Sequence, residues 1–187
     1  MKRLPLFLLL PSVISADVII SEISGASSDR LLKYSDTGQP SLGAGRRPCT
    51  RSFNDSNWLS GSAPFGFGYG SVSTNLSAAL QGETPSLYLR KTFMASAGQA
   101  ASLADLILTT EFDDGIIVLI NGKEAARCNL GAPGMFIYSD QVAFNDDSTE
   151  GNPTDLNLGR ASDLLVEGEN TIAVQVVILL PYVILYF

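Results

Sequence analysis

The sequence contains no histidine, and this absence narrows its chemistry more than any residue that is present. Without histidine the chain cannot form a Ser-His-Asp or Cys-His catalytic group, and it lacks the commonest protein ligand for zinc. Gly-x-Ser-x-Gly and Walker-type phosphate-binding sequences are also missing. Gly66, Gly68 and Gly70 do not have the Gly-x-Gly-x-x-Gly spacing. Most familiar hydrolase mechanisms are therefore excluded, and no phosphate-binding loop is predicted.

Positive charge and cysteine are scarce as well. The chain has 12 Lys and Arg against 19 Asp and Glu, a net charge of -7, so no basic surface for a phosphate backbone is expected. We predict no nucleic-acid partner. Cys49 and Cys128 are the only two cysteines, which is too few for a disulfide framework. Two outcomes stay open: the two pair in an exported chain, or they remain partly buried thiols.

Neither of the two long apolar runs is long enough to predict a membrane span. The first, in MKRLPLFLLLPSVISA, follows Lys2 and Arg3 and ends at the small residues Ser15 and Ala16, which is typical of a secretory signal peptide. Residues 1–16 are therefore expected to be a signal peptide, and the mature protein to be secreted or at the cell surface. The second run, residues 176–187, is twelve residues long and contains Pro181, whereas a spanning helix needs about 20.

What is present has a period of two. Alternating apolar and polar residues predict an all-β fold, an antiparallel β-sandwich or jelly roll, in one domain of a 187-residue chain. Residues 24–48 have no clear period and predict a loop or flexible linker. Strands are predicted at residues 18–23, 86–93, 103–112, 115–120, 136–144 and 171–177.

The pair Asn121-Gly122 between two extended runs predicts a β-hairpin with a two-residue type I′ turn. Counting back from that turn places Val118 opposite Ala125, and Ile116 opposite Arg127.

Asp113 and Asp114 precede the first strand of this hairpin and have two interpretations. They are either a carboxylate pair for acid and base chemistry, or side chains that accept hydrogen bonds from nearby backbone amides. The second interpretation is favoured, because the sequence shows no partner group or cleft for the chemistry.

Four segments in order carry a family resemblance: WLSGSAPFGFG (58–68), YLRKTF (88–93), DDGIIVLINGKEAARCN (113–129) and VEGENTIAVQV (166–176). Together they resemble the galactose-binding-like β-sandwich found beside catalytic domains in β-galactosidase-type glycosidases and in large secreted bacterial proteins. VIISEI (18–23) is similar to the first strand of lamin-tail domains. The domain division that follows is a strand and flexible linker at 17–49 and the sandwich at 50–178.

The resemblance implies a non-catalytic accessory module of a longer parent protein, with no enzyme activity of its own. Such a module binds carbohydrate or packs against a neighbouring domain, and the fold does not decide between the two. Sugars stack on exposed aromatic rings and bond to polar groups, so the candidate ligand-binding residues are Trp58, Phe67, Tyr69, Asp113 and Asp114. The alternative for the aromatic residues is that they fix the 58–68 loop to the sandwich.

The acidic segment at residues 145–155 is a candidate for a structural calcium ion, with Asp146, Asp147 and Asp155 as ligands. A solvated acidic loop is the alternative, and no other cofactor is predicted.

The end of the chain departs from the resembling sandwiches, because Val177 stands where they usually carry a histidine and an apolar run follows. We expect the sandwich to be incomplete at its C-terminus, with residues 179–187 an aberrant, poorly packed tail.

Overall fold

The computed structural model describes residues 51–68, 72–81, 83–147, 149 and 152–179, together with the backbone of residues 31–35. This part of the chain is all-β with three single-turn helices. Its strands are β1 (Leu31–Ser35), β2 (Leu59–Ser62), β3 (Phe65–Gly66), β4 (Thr74–Asn75), β5 (Ser86–Ala95), β6 (Asp105–Thr110), β7 (Gly115–Ile120), β8 (Lys123–Cys128), β9 (Thr154–Arg160) and β10 (Gly168–Val177). The helices are α1 (Ser77–Leu80), α2 (Ala97–Ala100) and α3 (Ala161–Leu164).

The main sheet has six antiparallel strands in the order β2-β1-β5-β10-β7-β8. A second antiparallel sheet is formed by β6 and β9, and a short parallel pair by β3 and β4. The long strands β5 and β10 pair over ten residues at the centre of the main sheet. The prediction of an all-β antiparallel sandwich is confirmed.

The core lies between the two antiparallel sheets and follows from the alternation of side chains along each strand. On β10, Ile172, Val174 and Val176 are buried in this core, and Gln175 between them faces the opposite side. The second sheet contributes leucines from β6 and β9. The same alternation gives the main sheet a second face, which we call the outer face.

The outer face of the main sheet is covered by residues 130–144, which we call the covering segment. Leu130, Ile137 and Ala143 of this segment are buried against Ile117 and Val177 of the sheet. The covering segment thus makes a second, smaller apolar cluster behind the main sheet.

Most strand predictions are confirmed, with changes at the ends. The observed β5, β6, β7 and β10 correspond to the predicted strands at 86–93, 103–112, 115–120 and 171–177. The strand predicted at 136–144 is wrong, because these residues form irregular structure that pairs with no strand and packs on the sheet through Ile137 and Ala143. The prediction of loop throughout residues 24–48 is wrong at β1, which pairs with β2 and β5.

The hairpin of β7 and β8 is confirmed, with positive φ at Asn121 (52°) and Gly122 (86°) as a type I′ turn requires. Its predicted register is wrong by one residue, because Val118 pairs with Ala126 and not with Ala125. The register shifts between Val118 and Leu119, which leaves Ala125 as the extra residue of a β-bulge.

Several predictions fall on residues outside the described part of the chain: the signal peptide, the strand at 18–23, and residues 180–187 of the predicted tail. The first residue of that tail, Leu179, packs against the smaller apolar cluster, so the prediction of poor packing is wrong there. Within the described residues, no helix has the length and apolar character that crossing a membrane requires.

Candidate functional site

A partly enclosed cleft of about 150 Å³ lies on the outer face of the main sheet. Its floor is made by β5, β7, β8 and β10, and its wall by the covering segment and by Trp58. Most of the lining is apolar or aromatic, and the polar side chains in it are few. The lining includes the side chains of Trp58, Ile117, Leu119, Glu124, Arg127, Met135, Phe136 and Gln175.

The charged groups of the cleft form one ion pair on β8. Arg127 donates from Nε to Oε1 of Glu124 and from Nη2 to Oε2, both at 2.9 Å. Arg127 also donates from Nη1 to the carbonyl of Leu130 at 2.8 Å and from Nη2 to that of Met135 at 2.7 Å. Glu124 in turn accepts from the backbone N–H of Gly134 at 3.1 Å. The pair therefore attaches the start of the covering segment to β8.

The bulge at Ala125 explains how Glu124 and Arg127 can meet. In a regular strand, residues three apart point to opposite faces. Here the bulge adds one residue between them, so that Glu124 and Arg127 point to the same face of the sheet. Glu124 pairs with Leu119, and Arg127 pairs with Ile117. Leu119 and Ile117 are two residues apart on β7 and share the outer face, so both charged side chains point into the cleft.

Trp58 is held at the cleft by a buried arginine on β5. Arg90 is 3% exposed, and its Nε donates to Oδ2 of Asp55 at 2.9 Å. Its guanidinium lies 5.2 Å from the ring centre of Phe53, which meets Trp58 edge to face at 5.5 Å. The backbone N–H of Trp58 donates to the carbonyl of Asp55 at 2.9 Å. Arg90 thereby attaches the 53–58 loop to the sheet.

The polar part of the cleft floor is formed by β5 and β10. Gln175 is 5% exposed and donates from Nε2 to Oγ of Ser86 at 3.2 Å. Tyr88, which is opposite Gln175 in the strand pairing, also lines the cleft. Burial raises the pKa of Tyr88 to about 12, against a weaker opposing effect of the Ser86 side chain. The phenol is therefore neutral at physiological pH.

The predicted aromatic ligand residues have different locations. Trp58 is half-buried and lines the cleft, as a ligand-stacking ring should. Phe67 is 6% exposed and belongs to the main core, so its assignment as a ligand residue is wrong. The period of the strands does not reveal this, because Phe67 lies in an irregular loop. Tyr69 lies outside the described residues.

Asp113 and Asp114 are not in the cleft. Asp114 is 6% exposed, and its Oδ1 and Oδ2 accept hydrogen bonds from the backbone N–H groups of Asp147 (3.0 Å) and Leu179 (2.6 Å). Burial raises the pKa of Asp114, these two hydrogen bonds lower it, and neighbouring Asp113 raises it further. Asp114 thus accepts backbone amides, as the second interpretation has it, but these amides are distant in sequence and not the nearby ones that were predicted.

The three predicted calcium ligands are not assembled. Among the described residues, one set of carboxylates lies close enough to hold a cation, with oxygens within 4.8 Å of one another, and its members are Asp113, Asp114 and Asp146. Asp155 is absent from it because it lies on β9, where the pairing with β6 brings its Oδ1 to the hydroxyl of Thr109 at 2.6 Å. Both oxygens of Asp114 already accept backbone amides, so this set does not present three uncommitted carboxylates.

Cys128 at the end of β8 is a free, half-buried thiol. Burial and the charge of Asp147 raise the pKa of this thiol, which keeps it in the less reactive protonated form. Cys49, its proposed disulfide partner, lies outside the described residues.

Four residues of the cleft were not predicted from the sequence: Glu124, Arg127, Phe136 and Gln175. Gln175 carries the one signal that was available, since it is a single amide within the otherwise apolar run IAVQVV. The other three become neighbours only through the bulge and the covering segment.

No protein-family model matches the sequence, and no curated protein matches it. Solved structures with a similar fold are glycosidases. A β-glucuronidase of Bacteroides uniformis is 17% identical at a TM-score of 0.45, and the match covers 78% of this chain and 14% of that one. A β-glucuronidase of an uncultured Clostridium is 15% identical at a TM-score of 0.42, with 91% and 24% covered. A β-D-mannosidase of Dictyoglomus thermophilum is 17% identical at a TM-score of 0.40, with 87% and 16% covered.

These proteins are glycosidases, the class that the sequence resemblance names. The chain spans between 14% and 24% of the length of these three glycosidases.

Proposed function

We propose that this domain is a non-catalytic, carbohydrate-binding module of a larger secreted or cell-surface protein, and that the sugar binds in the outer-face cleft. The observation that carries the proposal is the meeting of two half-buried aromatic side chains, Trp58 and Phe136, with the polar side chains of Glu124 and Gln175. A sugar ring has apolar faces that pack on aromatic rings, and hydroxyl groups that need polar partners. Both kinds of group line this one cleft.

The carboxylates support a binding role over a catalytic one. Glycoside hydrolysis by the usual routes needs two carboxyl groups on either side of the scissile bond. Among the described residues, Glu124 is the one carboxylate that lines the cleft, and Arg127 holds both of its oxygens. Asp113 and Asp114 lie outside the cleft, and Asp114 is committed to backbone amides. We therefore expect no turnover of chromogenic glycosides.

Trp58 offers a direct test, because it is the only tryptophan in the chain. Titration of the full chain with a panel of monosaccharides and polysaccharides should change the Trp58 emission for the sugars that bind, and the same glycans should retard the protein in affinity electrophoresis.

Phe136→Ala should weaken that binding about fivefold, since loss of an aromatic contact costs roughly 1 kcal/mol. The matched control is Leu103→Ala, which removes an apolar side chain that is 73% exposed and does not line the cleft. Absence of retention on every glycan, with unchanged Trp58 emission, would overturn the proposal.

The covering segment favours a second candidate, a structural or protein-interaction module that binds no sugar. It exposes Met135, Tyr138 and Phe144 by 55%, 64% and 58%. Exposed apolar groups of this size are typical of contact surfaces between proteins. This candidate predicts binding to a neighbouring domain of the parent protein that is lost in Phe144→Ser and unchanged in Phe136→Ala.

A further inference from the structure

The charge of the cleft is balanced within the protein. Among the described residues that line it, Glu124 and Arg127 are the only ones with charged side chains. A guanidinium has five N–H donors, and Arg127 uses four hydrogen bonds from Nε, Nη1 and Nη2 to hold Glu124 and two backbone carbonyls. Its side chain is 4% exposed. The cation of the cleft is therefore already neutralised and nearly inaccessible.

The next cation along the outer face is committed in the same way. Arg90 is bonded to Asp55 and packed on Phe53, and it is 3% exposed. It supports the wall that carries Trp58 and does not itself line the cleft.

The carboxylate of Glu124 is the more accessible partner of the pair, with 22% of its side chain exposed. Glu124 already accepts hydrogen bonds from Nε and Nη2 of Arg127 and from the backbone N–H of Gly134. For an anionic ligand it is a repulsive neighbour, because two carboxylates at close range cannot both stay ionised without cost.

From this balance we propose that the cleft selects an uncharged pyranose and rejects uronic acids and sulfated sugars. The inference rests on the proposed carbohydrate binding and adds the chemical class of the sugar. A buried anion requires a cation or several donors to replace its hydration, and the charged groups of the cleft are a carboxylate, Glu124, and a guanidinium that is already engaged. An uncharged sugar does not need such a cation.

The volume of the cleft restricts the ligand further. About 150 Å³ is smaller than the roughly 300 to 1,000 Å³ of pockets that enclose drug-sized molecules. A single sugar ring, such as a chain end or a side branch, is therefore the expected occupant, and the rest of a polysaccharide would remain in solvent.

The test compares ligands that differ at one carbon. Methyl β-D-glucopyranoside and methyl β-D-galactopyranoside are titrated into the full chain by Trp58 fluorescence and calorimetry, each against its uronic acid at pH 7. We expect the Kd of at least one neutral glycoside to be at least ten times lower than the Kd of its uronate. The affinity of that glycoside should be the same at low and high salt, because no net charge is involved.

Equal or tighter binding of the uronates would overturn the inference while leaving the carbohydrate-binding proposal intact. Binding of no glycan at all, in this titration and in the wider panel, would overturn both.

A variant at Glu124 gives an independent check. Glu124→Gln keeps the shape of the side chain and removes its negative charge, so the net charge of the cleft becomes the positive charge of Arg127. The preference for the neutral glycoside should then shrink at least threefold. Glu169→Gln is the matched control, because Glu169 is exposed on β10 and lies outside the cleft. An unchanged preference in folded Glu124→Gln would contradict the inference, and if that variant does not fold, the wild-type comparison decides alone.

Discussion

Removal of the Arg90 guanidinium should destabilise the fold and release Trp58 from the cleft wall. In Arg90→Met the apolar stem is kept, while the bond to Asp55 and the contact with the Phe53 ring are lost. A hydrogen bond to a charged group contributes about 1.5 to 3 kcal/mol, and a cation–π contact about 0.5 to 1 kcal/mol. Since Asp55 is 30% exposed, water can solvate its carboxylate after the substitution. We therefore expect a loss of about 2 kcal/mol in the free energy of unfolding.

The assay is urea unfolding combined with steady-state fluorescence of Trp58. Because Phe53 meets both Arg90 and Trp58, its release should shift the Trp58 emission to longer wavelength and increase quenching by acrylamide in the native state. Arg160→Met is the control, since Arg160 is exposed on β9 and surface substitutions usually stay within about 0.5 kcal/mol of wild type. If Arg90→Met stays within that range of wild type and its Trp58 emission does not shift, Arg90 does not hold the 53–58 loop.

Three further predictions concern the hairpin and two buried acids. Gly122→Val should destabilise the protein by about 1 kcal/mol or more, because φ at Gly122 is 86° and a β-branched residue resists that conformation. Gly98→Ala, in open space on α2, is the control and should leave stability unchanged or raise it. Equal melting temperatures for the two variants would exclude the type I′ turn. Tyr88 should ionise near pH 12, so that stability falls as pH rises from about 10 to about 12, and Tyr88→Phe should remove the last phenol in an absorbance titration at 295 nm, which an unchanged titration would disprove. Asp114 has a raised pKa, so its contribution to stability is largest at acid pH and declines as pH rises above 3.8. In urea unfolding, the difference in stability between wild type and Asp114→Asn should therefore become smaller from pH 4 to pH 7. A difference that grows over this range would show that burial does not raise the pKa of Asp114.

Local signals in the sequence predict the strands well, and they fail where the result depends on distant contacts. The Asn121-Gly122 turn is specified by two residues whose conformations suit a type I′ turn, so it could be placed from sequence. The register beyond it could not, because the bulge at Ala125 is set by the packing of β8 against β7 and the covering segment.

The covering segment shows a second limit. Its apolar residues suggested a strand at 136–144, yet Ile137 and Ala143 are buried as separate anchors while Tyr138 and Phe144 remain exposed. Apolar residues alone do not reveal whether a segment pairs its backbone with a sheet or crosses over it.

The candidate site depends almost wholly on such distant contacts. Trp58 was found from its residue type, because a lone tryptophan in a loop is a reasonable ligand-stacking residue. Glu124 and Arg127 were not found, since residues three apart in a strand are expected to face opposite ways. Phe67 was misassigned because residue type does not distinguish an exposed ring from one that fills the core.

Because β8 contains one extra residue, the outer-face cleft depends on the number of residues in this strand. If Ala125 were deleted, Glu124 and Arg127 would point to opposite faces of the sheet, and one of them would point toward the core. That charged side chain would lie among aliphatic side chains without its partner. Exchanging Ala125 for another small residue changes no direction. In β8, therefore, the number of residues is more constrained than their identity at that position, and insertions or deletions there are far more damaging than substitutions.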